Sequence, residues 1–163
     1  MIHLNEYVKG INEVRLSDLK HTVSTERTYN YHPKNRNELI ELVEQLIKER
    51  GNNADLNDID TGEMTDMWGM FYYSEFNGDI SEWDVSNVTN MAYMFCKSKF
   101  NGDISQWDVS KVKDMSYMFQ LSRFKGDVSD WDVQPDTNTE FMFSKCPLEE
   151  RKPPKWYKRN NLL

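Results

Sequence analysis

The side chains best placed by type and spacing to do chemistry are carboxylates. Asp58, Asp60, Glu82, Asp84, Asp108, Asp130 and Asp132 recur at matched places along the chain. Such groups can work in pairs as acid and nucleophile on a glycosidic bond, ligate calcium, or form a charged surface for a cationic partner. Asp58, Asp60 and Gly62 resemble the start of a calcium loop. That loop needs acidic or amide groups at its first, third and fifth positions before its glycine, and this segment fails the test. Met-x-x-Met pairs such as Met91 and Met94 have the softness of metal ligands, but regular spacing favours a core-filling role. No G-x-S-x-G elbow occurs, and His3, His21 and His32 all lie in the first part of the chain, away from any recurring acid. Cys96 and Cys146 show no zinc-site spacing and read as free thiols. No cofactor, metal or catalytic residue is expected.

Whatever these carboxylates do, a repeat positions them. Residues Thr65 to Val88 read TDMWGMFYYSEFNGDISEWDVSNV, the next copy TNMAYMFCKSKFNGDISQWDVSKV, and the third KDMSYMFQLSRFKGDVSDWDVQPD, without gaps at a period of 24. Met67, Met91 and Met115 align, as do Phe71, Phe95 and Phe119, Phe76, Phe100 and Phe124, and Trp83, Trp107 and Trp131. Equivalent side chains should therefore stack. Leu56 to Asp60 forms a partial copy before the first, and Phe141-Met142-Phe143 begins a decaying one after the last, with Trp156 displaced by one position from the tryptophan column.

Within a copy, Trp83-Asp84-Val85 alternates inward and outward as a short strand does. Met91, Met94 and Phe95 follow at i, i+3 and i+4, the spacing of a short helical turn. Asn77-Gly78 and Asn101-Gly102 suit a left-handed turn back to the next strand. A stack also needs end covers. Leu39, Leu42, Val43, Leu46 and Ile47 predict a capping helix over 36–50, started by Asn35 or Asn37 and ended by Gly51. Pro147, Pro153 and Pro154, with Trp156 and Tyr157, suit the other end. Val23 to Tyr31 alternates like a strand, and Leu4, Val8, Ile11 and Val14 could line a helix.

The motif Ile80-x-x-Trp83-x-Val85-Ser86-x-Val88-x-x-Met91-x-x-Met94-Phe95-x-x-Ser98-x-Phe100 resembles the BspA-like leucine-rich repeat, in the variant found in mycoplasma surface lipoproteins. The resemblance covers about residues 29 to 158. It implies a repeat solenoid with short parallel strands on one side and helical turns or loops on the other, no catalytic residues, and a role in interaction. The domain organisation expected is an N-terminal extension over 1–33, a capping helix and lead-in over 34–55, repeats over 56–136, and a degenerate repeat with C-terminal cap over 137–163.

Charge narrows the function further. The 163 residues carry a net charge of −7, with pI ≈ 5.0. From Leu56 to Asp136 there are 15 acidic and 6 basic residues, so the repeats hold the acidity. Direct binding to a nucleic-acid backbone or an anionic membrane is disfavoured. Met1 to Asn5 lacks the layout of a signal peptide or lipoprotein signal, so a cytoplasmic location is expected. Carboxylates about 5 Å apart repel by about 0.8 kcal/mol per pair in water. Turn-forming hydrogen bonds, or a cationic partner, would offset that repulsion. The leading expectation is a non-enzymatic module that binds a basic protein partner through the acidic face formed by Asp58, Asp60, Glu82, Asp84, Asp108, Asp130 and Asp132, through its loops, or through its N-terminal arm. Two alternatives stand beside it: an acidic, phage-type inhibitor that acts as a decoy for a nucleic-acid-binding defence protein, and a carboxylate-dependent hydrolase. The oligomeric state is left open.

Overall fold

A computed structural model describes residues 28–151 and 153–157. The expectations for Val23, for Leu4 to Val14, and for His3 and His21 fall outside the described residues. Two α-helices are present among them: α1, Arg36–Arg50, and α2, Pro147–Glu150. Neither is long and apolar enough to cross a membrane.

The first helix has the limits its apolar stripe predicts. Asn35 is the N-cap, its side chain accepting from the Asn37 and Glu38 N–H groups, and Gly51 ends the helix at φ 89. Leu39, Val43 and Leu46 are buried against the first coil.

The parallel strands do not form, and this overturns the leucine-rich-repeat solenoid reading. Among the described residues the bridges are isolated ones: Tyr31 with Ile59, Asp55 with Asp79, Asp66 with Asn90, Asn90 with Asp114, and Asp114 with Asn138. Only the first touches the Trp83-Asp84-Val85 column, at Ile59 of the partial copy, and none joins that column between the full copies. The alternation there is real, since Trp83 and Val85 are buried and Asp84 is exposed. The backbone donors nearby are consumed locally instead. Ser81 N–H donates to Asp79 Oδ1, Trp83 N–H to Ile80 O, Ser86 N–H to Asp84 Oδ1 and Val88 N–H to Val85 O. A turn every few residues leaves no run of free N–H groups for a sheet ladder.

The expected helical turn is also replaced. Met94 N–H bonds to Met91 O and Ser98 N–H to Phe95 O, closing two successive turns whose third residues, Tyr93 and Lys97, are left-handed at φ 59. The same positions in the other copies are Gly69 and Tyr73, Tyr117 and Leu121, and Phe141 and Lys145, all at positive φ. The alternating handedness aims every second N–H at the next coil. Met91, Tyr93, Phe95 and Lys97 donate to the carbonyls of Asp114, Ser116, Met118 and Gln120 at 2.8–3.0 Å. The coils are thus joined by backbone hydrogen bonds without a strand. Left-handed backbone costs an ordinary L-residue about 1 kcal/mol, which the inter-coil bonds and ring stacking offset.

The interior is a set of ring columns. Phe71, Phe95, Phe119 and Phe143 stack at centroid separations of 5.5, 5.5 and 5.8 Å, and Phe76, Phe100 and Phe124 at 6.2 and 6.3 Å. The indole N–H groups of Trp83, Trp107 and Trp131 donate to Leu56 O, Ile80 O and Ile104 O on the preceding coil. Trp156, one position out of register in sequence, donates to Val128 O and stacks on Trp131 at 6.4 Å. With Tyr157, which meets the edge of Phe143, it closes the C-terminal end. Cys96 and Cys146 are free and buried, and burial pushes both thiols up.

The glycine column serves a different purpose from the expected one. Gly78, Gly102 and Gly126 are not left-handed; among the described glycines, only Gly51 and Gly69 have positive φ. A Cβ on Gly78 would lie 2.0 Å from Ala54 O, and one on Gly126 would lie 2.7 Å from the Phe124 ring. The backbone passes too close to the preceding coil and to the phenylalanine column for any side chain.

Candidate functional site

Stacking converts each sequence column into a surface ridge. Three kinds of turn per coil carry an acidic or amide side chain that accepts the N–H two residues on. Asp79, Asp103 and Asp127 cap Ser81, Ser105 and Ser129. Asp60, Asp84 and Asp108 cap Gly62, Ser86 and Ser110. Asp66, Asn90, Asp114 and Asn138 cap the third series. At four of these turns the bonds favour the ionised form. Backbone and hydroxyl donors of the following serine hold the Asp79, Asp103 and Asp127 carboxyls below their usual range, and the Ser110 hydroxyl followed by its N–H does the same for Asp108. One oxygen of each of these four carboxylates serves the turn, and all four residues are exposed.

The seven residues singled out from sequence divide into two groups. Asp84, Asp108, Asp130 and Asp132 are exposed on the repeats, together with Glu82. Asp60 and Asp84 sit on neighbouring coils around Gly62, where an added Cβ would lie 3.2 Å from Asp84 Oδ2 and 3.5 Å from Asp60 Oδ1. Asp58 and Asp60 are instead engaged with the lead-in segment. Arg50 donates to both oxygens of Asp58 at 3.0 Å, Asn30 adds a third donor at 2.9 Å, and the guanidinium lowers the Asp58 carboxyl. Asp60 meets His32 at 3.2 Å. These two residues are the inner, partly covered end of the ridge. Among the described residues, no group of three or more His, Cys, Asp or Glu side chains has the placement of a metal site.

Two further surfaces were not singled out from sequence. The first is aromatic. Trp68, Tyr72 and Tyr73 lie exposed on the turn side of the first coil, where Arg36 covers the Trp68 ring at 5.5 Å and Lys97 sits 4.5 Å from the Tyr73 centroid. Tyr93 and Tyr117 continue the row, stacked at 4.7 Å. The second is cationic. A groove of about 400 Å³ is lined by Glu75, Asn77, Lys99, Asn101, Arg123 and Lys125. Glu75 pairs with Lys99. Among the described residues, Arg123 and Lys125 have no ion pair. Three of the six basic side chains of the repeats, Lys99, Arg123 and Lys125, therefore line one groove. Reading the 24-residue columns 75, 99, 123 and 77, 101, 125 for charge was the signal that would have found this groove.

No curated protein matches the chain, and no solved structure does. Residues 40–156, which run from within the capping helix through the stacked repeats, match the family described as DUF285, Mycoplasma protein of unknown function. The chain belongs to that family.

Proposed function

We propose that this protein is a non-enzymatic recognition module whose acidic ridge binds a basic protein partner. The observation that carries the reading is the arrangement of Asp84, Asp108 and Asp132 on successive coils, exposed and outside the apolar interior. Turn hydrogen bonds hold the Asp84 and Asp108 carboxylates, which lowers the ordering cost of meeting a cationic partner, and a row of like charges also speeds encounter. Hydrogen bonding lowers Asp58, Asp79, Asp103, Asp108, Asp127 and Asp136, the direction opposite to that needed by a general acid near neutral pH. The likeness of the repeat residues to those of BspA-like surface proteins supports the same reading.

The test is affinity capture on the immobilised chain, compared with the triple variant Asp84→Asn, Asp108→Asn, Asp132→Asn. Asparagine keeps the turn, because Asn90 and Asn138 already accept the same i+2 N–H bond in this chain. Loss of three surface charge pairs should weaken a basic partner by about 10- to 100-fold, at 0.4–1 kcal/mol each. Unchanged capture by a folded triple variant would remove the acidic ridge from the function.

A further inference from the structure

The repeats generate two surfaces of opposite sign. The acidic ridge carries Asp84, Asp108 and Asp132, and the cationic groove carries Lys99, Arg123 and Lys125. Both are built by the same coils, whose rings stack 5.5–6.3 Å apart. The groove also has fixed neutral donors. Asn101 N–H donates to Asn77 Oδ1 at 2.7 Å and Lys125 N–H to Asn101 Oδ1 at 2.8 Å. A backbone N–H can only donate, so each amide oxygen must face the next coil, leaving the Nδ2 donors turned away from that contact. Lys99, Arg123, Lys125 and the Nδ2 groups of Asn77 and Asn101 offer donors to this groove, which Asn53 and the Glu75 carboxylate also line.

We propose that the groove takes the carboxylate ridge of a second copy of this chain, giving side-to-side association. The inference rests on the reading of the acidic ridge as a binding surface, and names a partner for it. Lys99 and Arg123 stand one coil apart, the same step that separates successive aspartates of the ridge, so a second copy presents carboxylates at the interval of these two cations. Different patches meet in the contact, so it is heterologous, and each copy keeps one patch free. Association therefore continues past a pair as concentration rises. It is electrostatic and sensitive to salt.

Sedimentation of the full chain tests this at about 10 mM and about 1 M salt, where the Debye length falls from about 30 Å to about 3 Å. The expected result is a weight-average mass above 19.4 kDa at low salt that rises with concentration and returns to 19.4 kDa at high salt. Two variants resolve the faces: a groove variant (Lys99→Ser, Arg123→Ser, Lys125→Ser) and the acidic-ridge variant (Asp84→Asn, Asp108→Asn, Asp132→Asn). Each alone should associate about 10- to 100-fold more weakly. Mixed in equal amounts, they should form pairs and stop there, because only one complementary contact remains between them. A parent chain of 19.4 kDa at both salts overturns the proposal, as does association that persists at 1 M salt or a mixture that stays monomeric. The broader reading is tested separately. A monomeric parent whose acidic ridge still captures a basic protein overturns self-association alone, whereas loss of that capture in a folded groove variant would argue against the assignment of faces.

Discussion

Replacing Gly78 by alanine tests whether close approach, rather than backbone handedness, keeps glycine at the inter-coil contact. The added Cβ would lie 2.0 Å from Ala54 O and 2.6–2.8 Å from the Phe76 ring. A carbonyl of the preceding coil cannot move aside by changing rotamer, and Phe76 is fully buried beneath Phe100. Overpacking of this kind costs about 3 kcal/mol, the upper part of its usual range. With a urea m-value of about 2 kcal/mol/M, the midpoint should fall by about 1.5 M, and Tm by about 6–12 °C. Gly69→Ala is the matched control. Gly69 is left-handed at φ 60 and its Cβ would meet nothing nearer than Tyr72 Cβ at 3.8 Å. Its cost is that of backbone handedness alone, about 1 kcal/mol or about 0.5 M urea. Urea unfolding followed by tryptophan fluorescence reads both variants. A Gly78→Ala midpoint within about 0.3 M of the parent's, or a Gly69→Ala loss larger than the Gly78→Ala loss, would refute the close-approach argument.

Trp107→Phe removes the indole donor that binds Ile80 O at 3.2 Å and leaves a gap in a stacked column, so stability should fall by about 1–3 kcal/mol in a urea titration; a neutral result would show that the tryptophan bridges contribute little. Acid should weaken the fold through its turns. Serine donors lower the Asp79, Asp103 and Asp108 carboxyls in the folded state, so that state binds fewer protons than the unfolded chain. Their contribution is complete above the unfolded value of about 3.9 and is lost as pH falls through the lower folded values. The urea midpoint should hold between about pH 7 and pH 5 and drop below about pH 4, and the triple change of these aspartates to Asn should lessen the drop. A midpoint independent of pH down to 3 would contradict the linkage.

The sequence by itself determined the 24-residue register, the residues that stack, and the first helix. Those features depend on side-chain type at a fixed interval, and a repeat displays the interval openly: phenylalanine, methionine and tryptophan recur where an interior must be filled, and Asn35 and Gly51 bracket an apolar stripe of helical period. The backbone conformation was settled only in the folded molecule. In-out alternation at Trp83-Asp84-Val85 fits a strand and fits a chain of turns equally well. The choice between them depends on where the N–H groups of Ser81, Trp83 and Ser86 find acceptors. Likewise, Met91, Met94 and Phe95 are buried together by two left-handed turns as readily as by a helix, because the next coil supplies the acceptors that a helix would find within itself. The acidic ridge was legible because its aspartates repeat in every copy. The cationic groove was not, because Glu75, Lys99 and Arg123 share a column without sharing a residue type, and only the stacked coils bring Arg123 and Lys125 together beside Asn101.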